Sequence, residues 1–383
     1  MKVTAPGKIL LLGGYAVLEG YPALSIAVLD NKGMGVSAAV EKGEARIVAK
    51  EFGINKEIDL KSPFLSLKNI LPEEKISATA YAAAVAYIKA KGLEPLALKI
   101  DVSNSPIFGS KEEKSGIGSS AAATVAIVAG IFEGNGLDIN TNRDAIHKVA
   151  QVSHALATNK VGSGFDVASA TYGSIKYQRY PASTIDIIMD KLNENNFSSE
   201  IARIVDKLWK GLMSKPYHLE GYDIIAFNIR GVKTSTISSV KAVKQLMAAN
   251  KGLYLNLIKE QAEAEAIVFR ALEKENDGKV REGMHLAREA QQKISKAAEA
   301  MGIKGFDPIE PPVVTKLIEK AERIKGVVAG RCPGAGGYDS VAFLVKEKNA
   351  KTTEKIMKEG KGLGMKLRLL NASISREGVK AVS

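Results

Sequence analysis

Residues 114–124 have the sequence KSGIGSSAAAT, the strongest single motif of the chain. Two glycines and two serines precede a run of small helix formers, so we expect a tight turn into a helix whose first N–H groups lack intrahelical partners. Glycines allow close backbone approach, the helix dipole favours negative charge, and serine hydroxyls can contact oxygen or a hard cation. The motif therefore predicts either a phosphate-binding loop or a serine-capped buried helix packed through its alanines.

The motif differs from the common nucleotide-binding loops. GxxxxGK followed by Ser or Thr occurs nowhere in the chain, and no GxGxxG lies between a predicted strand and helix. A kinase interpretation therefore needs further motifs elsewhere in the sequence.

Bulk properties restrict the class of protein. The length of 383 residues favours two domains, and 45% hydrophobic with 25% charged residues is typical of globular proteins. The net charge of +12 would suit nucleic acid or a polyanionic small substrate, but no basic run is interleaved with aromatic residues. A single cysteine, Cys332, excludes an internal disulfide framework and a cysteine-cluster zinc site. No apolar run reaches about 18 residues, so we expect a cytoplasmic protein.

Periodicity and turn residues predict alternating strands and helices in two-layer α+β domains. A first strand is predicted at residues 3–12, consecutive antiparallel strands follow at 23–29, 35–40 and 45–49, and a strand at 367–371 closes the chain. Other strands are predicted at 96–102, 222–230, 326–329 and 341–345. Helices are predicted at 78–91, 119–132, 143–158, 236–249, 253–276, 278–301, 312–324 and 351–359. The polar segment 191–219 is expected to connect an N-terminal domain, 1–190, to a C-terminal domain, 220–383.

Two charged residues lie in apolar or small-residue elements. Lys8 sits inside an apolar strand, where an isolated buried lysine is costly, so it either reaches solvent or meets a carboxylate or phosphate. Asp166 opens a helix in VGSGFDVASATYG, residues 161–173. It either caps that helix or faces the phosphate loop as a functional carboxylate.

The four histidines lack metal-ligand spacing. His147 and His154 are seven residues apart on one predicted helix, whereas paired ligands usually lie three or four apart. The spacing favours core or surface roles for both.

Three glycine-rich loops resemble, in order and spacing, the three motifs of the GHMP small-molecule kinases. They are PGKILLLGGYAVL at 6–18, KSGIGSSAAAT at 114–124 and CPGAGGYDS at 332–340. The intervening VGSGFDVASATYG agrees as well, so the resemblance spans nearly the whole chain. Within the family, the segments KSGIGSSA, KVGSGFDVAS and PGAGGYD most resemble those of phosphomevalonate kinases.

The resemblance implies a fold and an activity. The implied fold is an α+β, two-domain GHMP kinase: an N-terminal two-layer α/β domain with a mixed sheet and a ferredoxin-like C-terminal domain, with ATP and acceptor meeting between them. The implied reaction is ATP-dependent phosphorylation of (R)-5-phosphomevalonate to (R)-5-diphosphomevalonate in the mevalonate pathway of isoprenoid biosynthesis, with ATP and Mg²⁺ as cofactors. The expected partners are small-molecule substrates, with no nucleic acid and no membrane, and the chain is expected to be a monomer or homodimer.

The resemblance also implies roles for single residues. Asp166 would orient and deprotonate the phosphoryl acceptor, Lys8 would neutralise charge beside it and keep it ionised, and Ser120 would ligate Mg²⁺. The candidate ATP-binding residues are Lys114, Gly116, Gly118, Ser119, Ser120 and Ala121. The candidate substrate-binding residues are Lys8, Lys114, Ser163, Gly164, Asp166, Gly336 and Gly337.

The chain departs from the family pattern at one position. Several members place a metal-binding Glu shortly before the catalytic Asp, where this chain has Ser153, His154 and Ala155. A second protein ligand to the metal is therefore open, and His154 is a candidate for a role near the phosphates.

A phosphorylated acceptor brings two anions together, so cations must balance them. The cations near the motifs are Lys111, Lys114, Arg179 and Arg331, and we favour Lys114, directly ahead of the loop.

Three other functions remain open at this point. One is a mevalonate kinase or a relative that forms mevalonate 3-phosphate, and a second is diphosphomevalonate decarboxylase. The third, a nucleic-acid-binding protein that uses the positive charge, would bind oligonucleotides with a steep dependence on salt.

Overall fold

The computed structural model of the chain describes residues 1–109, 115–159, 162–189, 192–229, 236–303 and 308–382. They form two compact units, each built from separated segments. The first unit contains Met1–Lys8, Ser25–Pro216 and Ser375–Ser383, and the second contains Ile9–Leu24 and Tyr217–Ile374. Both units combine helices with sheets, so the predicted α+β class is confirmed.

The helices and strands have the following bounds. The strands up to residue 216 are β1 (Lys2–Ala5), β2 (Gly7–Leu12), β3 (Ala23–Asp30), β4 (Val36–Lys42), β5 (Arg46–Ala49), β6 (Ile54–Glu57), β7 (Leu98–Asn104), β8 (Ile175–Gln178) and β9 (Met213–Pro216). The helices of this span are α1 (Lys75–Ala90), α2 (Ser119–Gly134), α3 (Arg143–Ala157), α4 (Phe165–Tyr172), α5 (Ser183–Met189) and α6 (Phe197–Val205). The later strands are β10 (Asp223–Ile229), β11 (Val327–Arg331), β12 (Ser340–Val345), β13 (Leu367–Leu369), β14 (Ala372–Ser375) and β15 (Lys380–Val382). The later helices are α7 (Thr236–Ala249), α8 (Lys251–Leu272), α9 (Asp277–Ala300), α10 (Pro312–Ala321) and α11 (Ala350–Gly362).

The largest sheet of the first unit has the order β15-β1-β4-β7-β5-β6. It is mixed, because β5 pairs parallel with β7 while the other neighbours are antiparallel. The predicted consecutive antiparallel strands are therefore wrong: β7 inserts between β4 and β5, and β3 lies in another sheet beside β8. The ladder from Val36↔Asn104 to Lys42↔Leu98 occupies the edge of β4 that a β4–β5 hairpin would have needed.

Helix α2 rests on this sheet through small residues. A Cβ on Gly134 would lie 2.6 Å from the side chain of Leu98, and one on Gly130 would lie 3.1 Å from that of Val40. Its middle is fully buried, with Val125 through Ala129 inaccessible to solvent. The absence of bulky side chains on this face lets the helix approach the sheet closely, which fixes the position of its N-terminus.

The second unit contains an antiparallel sheet of order β11-β12-β10-β13, covered by α10 and α11 through a shared apolar core. The helices α8 and α9 pack against each other. In the described part of the chain, no helix combines the length and apolar character needed to cross a bilayer.

The end of the chain differs from the prediction. The strand predicted at 367–371 is not the last, because β14 and β15 follow it, and Lys2 of β1 pairs with Val382 of β15. Residues 372–382 contain no long apolar run, so their strand conformation depends on a partner far away in sequence.

The observed units also differ from the predicted domains. Pairing with β1 draws residues 375–383 into the first unit, and residues 191–216 belong there as well. Ile9–Leu24 belongs to the second unit, where Arg331 donates a hydrogen bond to the Leu11 carbonyl and Gln261 donates one to that of Gly13. A domain boundary assigned from local sequence composition cannot predict such contacts between segments that are far apart in the chain.

Arg331 is a structural residue. It is only 1% exposed, and its guanidinium lies 3.3 Å from Glu265 Oε1 and 3.2 Å from Gln291 Oε1. Burial raises the pKa of Glu265, and the charge of Arg331 opposes that rise. The expectation that Arg331 is available to balance a substrate phosphate is therefore wrong, because its charge is committed inside the second unit.

We predict that replacing one partner of the Glu265–Arg331 pair destabilises the protein more than replacing both. Glu265→Leu or Arg331→Met alone leaves a buried charge without its partner, which is expected to cost about 3–5 kcal/mol. The double variant removes both charges and should lose less than the sum of the single losses. Urea unfolding of the three variants measures these losses, and additive values would contradict a coupled pair.

Candidate active site

The phosphate-loop motif forms the N-terminus of α2. Gly116 and Gly118 both have left-handed backbones, with φ of +72° and +83°. Gly118 is the N-cap residue and has no side chain with which to cap the helix, while Ser119 and Ser120 already lie inside its first turn. The serine-capped alternative is therefore wrong. The helix instead begins after a glycine-containing loop, and the N–H groups of its first turn point out of the helix end.

Lys8 runs alongside this loop. Its backbone N–H donates to the Ile117 carbonyl at 2.8 Å, and its Nζ donates to the Gly116 carbonyl at 3.0 Å. Gly7 makes this approach possible, because a Cβ there would lie 2.8 Å from the Ile117 oxygen. The ammonium also lies 5.5 Å from the centre of the Phe165 ring.

Asp166 provides the charge that Lys8 needs. Burial lowers the pKa of Lys8, and the nearby Asp166 carboxylate opposes that shift. A Cβ on Gly118 would lie 3.1 Å from Lys8 Cε and 3.8 Å from Asp166 Cβ. Lys8 is thus partly exposed and also lies near a carboxylate, so both alternatives expected for it are met in part.

Asp166 lies in the first turn of α4, whose N-cap is Gly164 with φ of +81°. Its Oδ1 accepts a hydrogen bond from the Val167 N–H at 3.0 Å, so one oxygen helps to complete the helix terminus. Asp166 is nevertheless not the N-cap residue. The N-termini of α2 and α4 thus meet at Lys8, where two sets of helix N–H groups and one ammonium can stabilise negative charge.

The turn before Asp166 is held by hydrogen bonds from buried side chains. Tyr177 donates its hydroxyl to the Ser163 carbonyl at 2.7 Å, and Gln151 Nε2 donates to the Gly164 carbonyl at 2.7 Å. The Tyr180 hydroxyl in turn donates to Gln151 Oε1 at 3.2 Å. A Cβ on Gly164 would collide with the Gln151 amide, so only glycine fits here. These contacts fix the backbone from which Asp166 projects.

His147 holds the side chain of Gln151 through a hydrogen bond. Its Nε2 lies 3.0 Å from Gln151 Nε2, and because the amide nitrogen can only donate, the imidazole must accept there and carry its proton on Nδ1. Burial lowers the pKa of His147 to about 3, which keeps the ring neutral. The predicted core role is confirmed for His147, which is fully buried.

His154 lies near the phosphate loop. Its Nε2 is 3.3 Å from Ser120 Oγ, across from the first turn of α2. The described residues contain no cluster of three or more His, Cys, Asp or Glu side chains that could hold a metal. A single hydroxyl ligand is compatible with Mg²⁺, which usually retains water and binds substrate phosphates. The role of Ser120 as a metal ligand stays a prediction.

A surface pocket opens beside these residues. Its lining includes Gly164, Asp166, His154, Gln151, Arg179 and Tyr180. Sequence analysis did not identify Gln151, Tyr177 or Tyr180. The signal for Gln151 was its helical spacing with His147 and His154 on α3, whereas the tyrosines follow the motif without any pattern of their own.

The remaining predicted residues are distributed as follows. Ser119 and Ala121 lie in the first turn of α2, and Lys111 and Lys114 fall outside the described residues. Gly336 and Gly337 lie in the second unit, where the Gly337 N–H donates to the Ile309 carbonyl at 2.8 Å. Their predicted contact with substrate stays a prediction.

The chain is similar to several known proteins. Residues 78–174 match the GHMP kinases N terminal domain. The phosphomevalonate kinase of Candida albicans is 27% identical over 400 residues, which cover 90% of this chain and 89% of the relative. The phosphomevalonate kinase of Saccharolobus solfataricus is 28% identical over 355 residues, which cover 91% of each chain.

A solved structure shares the fold. The structure of Streptococcus pneumoniae phosphomevalonate kinase in complex with phosphomevalonate and AMPPNP matches with a TM-score of 0.72 and 19% identity, covering 96% of this chain and 98% of that one. The predicted GHMP kinase fold is thereby confirmed. The N-terminal domain match, relatives that align over nine-tenths of the chain and the shared fold lead to one conclusion. The chain contains a GHMP kinase N-terminal domain and has the GHMP kinase fold.

Proposed function

We propose that the chain is a phosphomevalonate kinase, which transfers the γ-phosphoryl group of ATP to (R)-5-phosphomevalonate and forms (R)-5-diphosphomevalonate in the mevalonate pathway of isoprenoid biosynthesis. The observation that carries this proposal is that two relatives named phosphomevalonate kinase align over nine-tenths of the chain. The phosphomevalonate and AMPPNP bound to the Streptococcus pneumoniae enzyme support the same acceptor and ATP as the donor.

The α2 terminus would bind the phosphates of ATP. The N–H groups of Ser119, Ser120 and Ala121 belong to the first turn and have no intrahelical partner, so they can donate to phosphate oxygens. Gly116 and Gly118 would let the loop close around these oxygens. Ser120 would hold Mg²⁺ by its hydroxyl, and the ion would supply neutralising charge at the ATP phosphates.

Lys8 and Asp166 would serve the transfer itself. An oxygen of the acceptor phosphate attacks the γ-phosphorus, the bond to the β–γ bridging oxygen breaks, and ADP leaves. Asp166 would orient the attacking group and take its proton, while the Lys8 ammonium would offset the negative charge that the acceptor brings. The attraction between Lys8 and Asp166 supports these roles, because the carboxylate opposes the lowering of the Lys8 pKa by burial and so favours the ammonium form.

The acceptor distinguishes this proposal from the other family functions. ADP release should be measured with mevalonate, phosphomevalonate and diphosphomevalonate in parallel, together with CO₂ release from the last. Phosphomevalonate is expected to be strongly preferred. Equal or better turnover of mevalonate, or CO₂ release, would contradict the assignment and leave the family and fold unchanged.

Lys114→Met is predicted to raise the KM for phosphomevalonate more than the KM for ATP. The lysine precedes the phosphate loop directly, and a phosphate acceptor needs positive charge that an alcohol does not. Steady-state kinetics with each substrate varied in turn gives both constants. A larger rise in the KM for ATP would instead make Lys114 a nucleotide ligand.

Gly118→Ala is predicted to lower kcat by displacing Lys8, and Gly116→Ala serves as its matched control. Both glycines have left-handed backbones, so each substitution carries a similar strain of about 1–3 kcal/mol. Only the Cβ at Gly118 would contact Lys8, whereas the one at Gly116 would meet open space. Melting temperatures should therefore fall alike, and kcat should fall further in Gly118→Ala. Equal kcat values in the two variants would contradict a role for the Lys8 position.

A further inference from the structure

Arg179 lines the candidate pocket but has no role in the mechanism proposed above. It follows β8 directly and lines the pocket that also contains Gly164, Asp166 and His154. Among the described residues that line this pocket, Arg179 alone carries a permanent positive charge, alongside the carboxylates of Asp166 and Asp186. An anion entering the pocket would therefore meet one fixed cation.

The guanidinium of Arg179 is incompletely satisfied. Its Nε is buried and has no hydrogen-bond partner within the described ranges. The neighbouring Tyr180 hydroxyl donates its hydrogen bond to Gln151 Oε1 and makes none with this nitrogen. A buried charged donor without a partner is unfavourable, and an anionic ligand would relieve that cost.

Two buried arginines, Arg288 and Arg331, have a structural role. Arg288 makes two hydrogen bonds to the Glu310 carboxylate, at 2.7 and 2.6 Å, and Arg331 pairs with Glu265. Both are held inside the second unit. Arg179 differs because it borders a pocket together with the candidate catalytic carboxylate.

We propose that Arg179 binds an oxyanion of the phosphoryl acceptor and thereby helps to select an anionic acceptor, an inference that rests on the proposed function. The planar guanidinium can donate two parallel hydrogen bonds to a phosphate or a carboxylate, and a phosphorylated hydroxy acid offers both. Arg179 also offsets the repulsion that Asp166 and Asp186 exert on an incoming anion. It acts in acceptor binding and does not exchange protons with the reacting atoms.

The test is calorimetric binding of phosphomevalonate to the wild-type protein and to Arg179→Met, Arg179→Lys and Arg203→Met, with and without AMPPNP. Arg203 is the matched control, since it is half-exposed and pairs with Glu200 on α6. Arg179→Met should bind phosphomevalonate about 10- to 100-fold more weakly, as expected for lost hydrogen bonds between charged groups. Arg179→Lys should be intermediate, Arg203→Met should match the wild type, and AMPPNP affinity should be unchanged in all three variants.

The same binding measurement with mevalonate identifies the oxyanion. If Arg179 binds the phosphate, the substitution should leave mevalonate affinity unchanged, and if it binds the carboxylate, affinities for both acids should fall by the same factor. A structural role would instead weaken AMPPNP and phosphomevalonate together and would overturn the inference. If Arg179→Met does not fold, the folded Arg179→Lys variant decides the question. Weaker acceptor binding than in the wild type would support the inference, and equal binding would overturn it.

Failure of this inference is separable from failure of the proposed function. Wild-type affinity for phosphomevalonate in Arg179→Met would overturn the role of Arg179 and leave the proposed reaction in place. A wild-type protein that binds mevalonate but not phosphomevalonate would overturn the proposed reaction. In that case, unchanged mevalonate affinity in Arg179→Met would overturn the inference as well, and a loss would support it for the carboxylate.

Discussion

The candidate site depends on one constraint: the ammonium of Lys8 lies on an apolar strand and needs a hydrogen-bond acceptor and negative charge nearby. The strand delivers it to the loop before α2, where the Gly116 carbonyl accepts its hydrogen bond and Asp166 supplies the opposite charge. Glycine at positions 7 and 118 is what lets the two segments approach. A phosphate bound there would meet a cation that is already in place, so little reorganisation is needed at the moment of transfer.

The surrounding structure preserves this arrangement. Helix α2 is fixed by its close packing on the mixed sheet, where Gly134 lies against Leu98. Helix α4 begins at a turn that Gln151 and Tyr177 hold through backbone carbonyls, and the neutral ring of His147 accepts from Gln151 in turn. Both helix termini are thus positioned by packing and hydrogen bonds within the first unit. Such support is what keeps charged groups in a productive geometry.

The sequence predicted the elements well and their pairing poorly. Helix α2 was expected at 119–132 and is observed at Ser119–Gly134, because its small residues and its glycine-rich start are local signals. The insertion of β7 beside β4 and the pairing of β15 with β1 depend on residues far apart in the chain. The same limit applies to the site. Lys8 and Asp166 were found through motifs, whereas the buried Nε of Arg179 and the burial of Arg331 are properties of the fold alone.

The central claim is that Lys8 and Asp166 act as one unit, and a double-mutant cycle in kcat/KM tests it most directly. Lys8→Met, Asp166→Asn and the double variant should be compared under identical Mg-ATP and phosphomevalonate concentrations, with melting temperatures as a control. Asn can still accept the Val167 hydrogen bond, so the helix terminus should survive. The account predicts strong non-additivity, with the double variant about as impaired as the worse single one. Losses that simply multiply would contradict it.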